Sequence, residues 1–589
     1  MGVPLDRIAA APSDEDKVRL TAALILETFD EYYIESRGLP GLAKAAFERR
    51  DPATTIALSK QRLMIYSVSV AELGSQLKSA FPSLASEERL WREIERLYLP
   101  RIEGRYEADL AFAYIHSVRR KVYQDDWKPV EYAFSEEGTG GFGTLAEITL
   151  AFPGGAKLYP ETVGEILAIP DFRVDYRDIR GDATRVAERV NRTLGLDGQA
   201  ADAIQEIEMI DGGFYRNRGC YLVGRMRLRD GSLRPLVIAL LNEAEGVFVD
   251  AVLLESDHCH NIFSSTLANF HVTNASYHEL SEFLFSIMPK RPLGHHYSTI
   301  GFNHVGKVAV MNELKTELAT NEEVFETAVG FRGTVAIGFS APSSAYVLKV
   351  IRDHPTGNYK WGHFAGVASV LRKYSQVHEI NRTGSMLDNI IYYNLKLDRA
   401  SFDPALLEEI LEAAGGAVSL QGADVVFKHL IVQLKMIPLT VFLETAAPED
   451  AATAVVNLGH CIKNNAAANI FNKDLDGRNY GVSKVLKVYL YDYDALEPFT
   501  EVKIRTNIDA EEGEEDIPDW YFEDGVIFLP EEIESGLRIN ERSLRRLFRE
   551  VHGDLMTVGY WQTIQDDLAA GRVPRISIYP EACRLQAED

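Results

Sequence analysis

The stretch Ala467–Asp494, AANIFNKDLDGRNYGVSKVLKVYLYDYD, constrains this chain more than any other. Asp474 and Asn479 stand five positions apart, Gly481 follows as a turn, and an apolar run then ends at Asp492. A loop that sets a carboxylate beside an amide, with a strand returning a second carboxylate opposite them, suits phosphoryl transfer. That chemistry needs a carboxylate near the attacking hydroxyl and hard oxygens to hold Mg²⁺ against phosphates. The simpler reading is a surface turn, because Asp, Asn and Gly are common turn formers. The upstream sequence decides between the two.

Residues 328–353, AVGFRGTVAIGFSAPSSAYVLKVIRD, place Gly330 and Gly333 around Phe331 and Arg332. Two predicted strands follow, joined by a Pro-Ser turn at 342–344, and the second holds Lys349 between Leu348 and Val350. In protein-kinase small lobes a glycine-bearing loop covers the phosphates, and a lysine on a later strand meets the α/β-phosphates. A lone lysine in an apolar strand is ordinarily an edge or snorkelling residue. Standing ahead of Asp474, Asn479 and Asp492 in that order, Lys349 reads as the ATP lysine. The Gly-x-x-Gly here is sparser than the loop of ordinary kinases, so the clamp should differ, with Arg332 adding charge. VVFKHLIVQLKMIPLTVFLE reads as a hinge strand near 424–435, a Met-Ile-Pro break and a helix. The next predicted helix, Ala451–Ala468, leads into the loop. This order predicts a two-lobed kinase fold.

At 589 residues the chain is too long for one core. Ser13 and Asp16 suggest a capping box, with Val18, Ala22, Ile25, Phe29 and Tyr32 at helical spacing behind it. Further helices are expected over Leu42–Arg49, Ala53–Ser79, Glu87–Leu97 (stopped by Pro100) and Glu107–Val122. From about residue 130 the texture turns to strands. They include Leu145–Phe152, a hairpin across Asp230-Gly231 in CYLVGRMRLRDGSLRPLVIALL, and Val247–Leu254. His258-Cys259-His260 invites a metal reading, but neighbours on one strand point to opposite faces and no further His or Cys completes a shell. Arg291–Val310 reads as a loop-strand connector. The main boundary is placed near 320, where Thr316–Phe325 begins a short helix. The expected class is α+β: a regulatory domain over 1–320, helical then strand-rich, and a kinase-like catalytic domain over 321–589.

A formal charge of −25 disfavours nucleic acid as a partner, since phosphate backbones demand a basic surface. Mg²⁺ and a few local basic residues can still serve a nucleotide. Four scattered cysteines without a C-x-x-C pair fit a reducing compartment. No apolar run approaches the ~18 residues that cross a bilayer. The first residues lack a secretory pattern and have Asp6 where an N-myristoylation signal wants Ser or Thr. A cytoplasmic protein without a membrane partner is expected.

The chain resembles the bacterial isocitrate dehydrogenase kinase/phosphatase family. The motifs that carry the likeness are AVGFRGTV, YVLKVIRD, NRTGSMLD, VVFKHLIVQLKMIPL, the AAANIF-KD-RN-GV loop and YDYD, with FYRNRGCYLVGR and IGFNHVGKVAV in the N-terminal half. The resemblance implies an N-terminal regulatory domain and a kinase domain that phosphorylates a serine of isocitrate dehydrogenase and also removes that phosphate. It implies ATP with Mg²⁺ or Mn²⁺, AMP as an effector favouring dephosphorylation, and an ATPase side reaction. Carried across, the nucleotide loop falls on Ala328, Val329, Gly330, Phe331, Arg332, Gly333 and Thr334, and the ATP lysine on Lys349. Asp388, linked to dephosphorylation, and Asp474, the kinase base, are the implied catalytic residues; Asn479 and Asp492 are the implied metal ligands. Arg478 stands where the family commonly has Lys. By itself Asp388 would read as a solvated carboxylate in a polar turn.

Two other classes compete. Small-molecule phosphotransferases of the aminoglycoside or choline type use the same D-x-x-x-x-N, yet ordinarily carry no large N-terminal domain. A non-catalytic scaffold would usually lose the lysine, the base or a metal position; all are present here.

Overall fold

The computed structural model describes residues 5–123, 147–196, 203–263, 270–328, 333–357, 364–493, 495–507, 523–576 and 578–585. Ser13 opens the first long helix, Asp14–Glu48: its hydroxyl accepts the Asp16 N–H at 3.2 Å. The helix continues through Pro40 instead of restarting at Leu42, because its two halves serve two cores. Val18, Ile25 and Phe29 pack with helices Pro52–Ala80, Glu88–Ile102 and Ala108–Val122. Leu39, Ala43 and Phe47 instead pack against a sheet. Pro100 likewise lies inside its helix, which ends two residues later.

That sheet has seven strands. Thr149–Gly155 pairs with Ile204–Ile210, which pairs with the long strand Gly219–Leu228; Leu233–Glu243 and Gly246–Leu253 extend the other edge. The Asp230-Gly231 turn forms as expected, with Gly231 at φ 81°. Alternation divides the long strand between two layers. Tyr221 and Val223 face the helical bundle, while Cys220 and Leu222 face helices Pro160–Ala168 and Ile179–Leu194.

Three expectations give way here. His258, Cys259 and His260 lie on a helix, Ser256–Ile262, not a strand, and the described residues hold no cluster of three or more His, Cys, Asp or Glu suited to a metal ion. Arg291–Val310 is not a loop-strand connector but mostly helical, Leu293–Thr299 followed by Asn303–Asn321. No short helix begins at Thr316; the longer one ends near there. The glycines allow close packing and do not break the chain: a Cβ on Gly294 would stand 2.6 Å from Val310 Cγ2, and one on Gly306 2.6 Å from Ser298 Oγ.

Helix Asn303–Asn321 buries Val310, Met311 and Leu314 among Phe339, Tyr346, Leu348 and Phe427, so the two halves share one core. Those partners belong to a six-stranded antiparallel sheet in the order Ile390–Asp398, Asp424–Leu434, Tyr346–Ile351, Ala336–Ser340, Glu326–Thr327, with Val418–Gln421 against Asp424–Leu434. Helix Val367–Ile380 lies between the lysine strand and Ile390–Asp398 in the chain. After Asp424–Leu434 come Ile437–Pro438, helix Leu439–Thr445 and helix Pro448–Ala467, the main helix of a second, larger lobe. The α+β class and two-lobed layout hold. Among the described residues no helix is long and apolar enough to cross a membrane.

Candidate active site

The cleft floor is a small sheet. Tyr480–Val482 pairs with Ile437–Pro438 on one side and with Val488–Leu490 on the other. Gly481 lies within the first of these strands and not in a turn. A Cβ there would meet Met436 Cβ at 2.7 Å and Tyr491 Cδ1 at 2.9 Å, so the glycine lets the post-hinge segment close on the metal strand. A further chain completes the floor. Leu490 N–H donates to Ser385 O at 2.9 Å and Leu387 N–H to Leu490 O at 2.8 Å, a parallel bridge between Met386 and Leu490. Asp388 and Asp492 each lie two residues beyond that bridge.

The loop before the sheet is tied to itself. Asp474 N–H donates to Asn472 Oδ1 at 3.0 Å, and Asn479 Nδ2 donates to Asp474 O at 2.8 Å. The Asn479 amide nitrogen is thus committed, and Asp492 is half-buried two residues past the end of strand Val488–Leu490, which stops at Leu490 and does not run on to Asp492 as expected. An amide oxygen and a carboxylate are hard donors of the kind Mg²⁺ takes, so the residues present fit such an ion. Asp476 was not singled out by the sequence. It is buried, grips Arg478 in a fork (2.6 Å at Nη2, 3.0 Å at Nε) and meets Arg538 Nε at 3.0 Å. Burial alone would raise its carboxyl; the hydrogen bonds and charge of Arg478, with Arg538, more than offset this and hold it below the usual range.

Lys349 lies half-buried on Tyr346–Ile351, opposite Gly338 and Ile431. Its Nζ stands 5.6 Å from the centroid of the Tyr491 ring and 5.9 Å from that of Tyr374, on helix Val367–Ile380. Tyr491 also donates its hydroxyl to Arg478 O at 2.7 Å and its N–H to Asn479 O at 3.1 Å. One side chain therefore ties the lysine, the loop and the metal strand together. The nucleotide loop is anchored at its ends: Ala328 N–H donates to Gly338 O at 3.0 Å, and Thr334 O accepts Thr356 N–H at 2.9 Å. A Cβ on Gly333 would meet Ala336 O at 2.6 Å. Val329, Gly330, Phe331 and Arg332 lie outside the described residues.

Asp388 departs from its sequence reading: it is only 2% exposed. Asn381 Nδ2 holds its Oδ1 at 3.3 Å, and Gln433 Nε2 reaches both Asp388 O (3.4 Å) and the Tyr493 hydroxyl (3.1 Å). Burial pushes its carboxyl up to about 7 against the opposing pull of Arg291, Asn381, Arg216 and Lys487. At neutral pH this group can take up or release a proton. A strongly perturbed carboxyl beside the segment that leads to Asp492 is a candidate functional position.

The family comparisons agree with this geometry. Residues 22–322 match the model of the isocitrate dehydrogenase kinase/phosphatase (AceK) regulatory domain, and residues 323–581 that of its kinase domain. A protein of Rhodopseudomonas palustris (strain HaA2) named isocitrate dehydrogenase kinase/phosphatase is 50% identical over 99% of this chain and 96% of its own. The chain belongs to the isocitrate dehydrogenase kinase/phosphatase family. More distant relatives carry the name too. One from Anaeromyxobacter sp. (strain Fw109-5) is 30% identical over 96% of this chain and 97% of its own. Isocitrate dehydrogenase kinase/phosphatase 2 of Pseudoalteromonas translucida (strain TAC 125) is 29% identical over 96% and 99%. Membership in this family accounts for the kinase-like lobes and the large domain ahead of them.

Proposed function

We propose that this protein phosphorylates isocitrate dehydrogenase on a serine at the expense of ATP and removes the same phosphate, directing isocitrate between the tricarboxylic acid cycle and the glyoxylate bypass. The observation that carries the reading is the approach of the Lys349 ammonium to Tyr491, which is bonded to the Asp474–Asn479 loop and immediately precedes Asp492, within a chain that matches both family domains. Asp474 accepts the proton of the attacking serine hydroxyl. Lys349 holds the α/β-phosphates, and the nucleotide loop assigned to Ala328–Thr334 serves the same phosphates. Asn479 and Asp492 would hold Mg²⁺ or Mn²⁺, which when bound neutralises charge on the phosphate oxygens. Asp388 serves the reverse reaction, and slow ATP hydrolysis accompanies both. The protein works in the cytoplasm.

AMP is proposed as the effector that favours dephosphorylation. A cavity of about 590 Å³ between the two halves is the candidate site, within the usual span of ligand pockets. Arg120, Lys121, Lys307 and Lys428 line it, and no carboxylate does among the described residues. His304 stacks on Tyr66 at 3.4 Å between centroids, a platform suited to a purine.

Incubation with isocitrate dehydrogenase and labelled ATP, followed by AMP, tests the proposal. Label should enter a serine and leave again; transfer only to a small-molecule panel, or none at all, would overturn it.

A further inference from the structure

Two motifs bear arginines that the proposed reaction leaves unused, and they meet in one cleft. Arg218, from FYRNRGCYLVGR, lies at the tip of the hairpin Phe214–Arg216/Gly219–Leu228, beside Asn217 at φ 50°. Arg382, from NRTGSMLD, faces it from the kinase half. The cleft encloses about 140 Å³ beside residues 573–576 and 578–579 near the C-terminus.

Its charges do not balance. Five guanidinium groups, of Arg50, Arg218, Arg382, Arg575 and Arg584, line it against three carboxylates, leaving a surplus of two (5 − 3). The carboxylates are engaged already: Asp250 with Arg584 at 3.1 Å, Glu243 with Arg575 at 2.6 Å, and Asp51 capping the Thr54 N–H at 3.0 Å. Among the described residues the side-chain hydrogen bonds of Arg50, Arg218 and Arg382 go to the backbone carbonyls of Glu243, Val573 and Ala467, and only the more distant charges of Glu243 and Asp567 act on Arg218. Arg382 Nη1 is buried with no hydrogen-bond partner among the described residues. Burial, with the nearby charges of Arg218 and Arg216, pulls the Arg382 guanidinium down to about 10. Clustered cations with a buried, unmet donor are costly unless an anion completes them.

We propose that this cleft binds a compact oxyanion, free phosphate or the phosphoryl group of a small ester, on Arg382, Arg218 and Arg50. Guanidinium forks match such an anion in charge and geometry. A volume of about 140 Å³ has room for a phosphoryl group. The bound anion joins three parts of the molecule: the regulatory hairpin, the C-terminal segment and the chain leading to Asp388. Arg382 O already receives Asn217 Nδ2 at 3.1 Å, and its neighbour Asn381 holds Asp388. Occupancy is therefore felt at the Asp388 segment.

The test is calorimetric titration of the full chain with inorganic phosphate and, separately, with glycerol 3-phosphate, against sodium chloride at equal ionic strength. The wild type should take up one equivalent of at least one phosphate probe, and Arg218→Gln should weaken that binding at least tenfold with an unchanged melting temperature. Arg382→Lys, which keeps charge but not the fork, should weaken it as well. Lys349→Ala, altered only at the nucleotide site, should bind as the wild type does; this separates the cleft from the catalytic reading. Undiminished binding in Arg218→Gln, loss in Lys349→Ala alone, or a wild-type response no greater than that to chloride would overturn the proposal.

Discussion

Lys349 Nζ stands 5.6 Å from the centre of the Tyr491 ring, whose hydroxyl and backbone N–H are bonded to Arg478 O and Asn479 O. The small-lobe lysine and the large-lobe loop thus meet on one residue, immediately before Asp492. In the proposed reaction Tyr491 would be a positioning residue, setting the spacing between the lysine assigned to the phosphates and the oxygens assigned to the metal.

Tyr491→Phe keeps the ring under Lys349 and loses one hydrogen bond. A net bond of about 1 kcal/mol implies a fall in phosphorylation kcat/KM of about fivefold. Tyr491→Ala, which removes the platform as well, should lose more. Steady-state kinetics with ATP varied will check this, and Tyr491→Phe should restore most of what Tyr491→Ala loses.

Lys349→Ala and Asp492→Ala should each abolish phosphorylation in a folded protein, because either leaves charge uncompensated as the phosphoryl group transfers. Asp474→Asn should lose roughly 10²–10⁴-fold, the usual scale of general-base help. A radiolabel transfer assay reads all three. Normal activity in folded Asp492→Ala would contradict its role as metal ligand.

Much of this site is legible in the sequence because Asp474 and Asn479 share one short loop, where chain connectivity alone brings them together. Lys349 could be read because its strand flanks, Leu348 and Val350, are apolar. Asp388 could not. Its pKa is raised by burial against the opposing charges of Arg291, Arg216 and Lys487, and both the packing and those charges come from distant parts of the chain. The same holds for Arg291–Val310, where Gly, His and Pro suggest a connector. Gly294 and Gly306 are small to admit neighbouring helical residues, a reason that exists only once the helices pack. Tyr491 and Asp476 gave no local signal beyond an aromatic and an acid in a polar loop.

The Asp388 carboxyl carries a pH signature. Its folded pKa of about 7 lies above the ordinary 3.8, so between these values the folded state binds a proton that the unfolded state has lost. Stability must then fall as pH rises through that window, by up to about 4 kcal/mol at 1.36 kcal/mol per unit. Asp388→Asn removes this dependence. Urea melts at pH 5 and pH 8 should show the variant gaining on the wild type at the higher pH; parallel shifts would place the proton elsewhere.

The cavity between the halves makes a separate prediction. Burial, then the charge of Arg120, draws the Lys307 ammonium down to about 8, and a bound phosphate would favour its charged form. Lys307→Met should therefore weaken AMP binding at least tenfold while leaving the KM for ATP near its wild-type value. Equilibrium dialysis with labelled AMP, beside ATP kinetics, measures both. A joint loss would instead place AMP at the catalytic cleft.

Asp388 also bears on how one cleft runs two reactions. Phosphorylation needs a base for the serine hydroxyl, a role assigned to Asp474. Dephosphorylation needs a group that positions or deprotonates the acceptor of the phosphoryl group, and a second carboxyl near neutrality can do so. Asp388 is raised toward that range, is held by Asn381, and lies two residues past the Met386–Leu490 bridge, as Asp492 does on the facing chain. Asp388→Ala should therefore depress dephosphorylation at least tenfold more than phosphorylation. Both rates are to be measured on one preparation, with phosphorylated and unphosphorylated isocitrate dehydrogenase. Asp388→Asn, which keeps the shape and loses the proton exchange, should show the same imbalance and flatten the rise of dephosphorylation near pH 7. Equal loss in both directions would make Asp388 a structural support for the Asp492 strand, and no loss would remove it from the site.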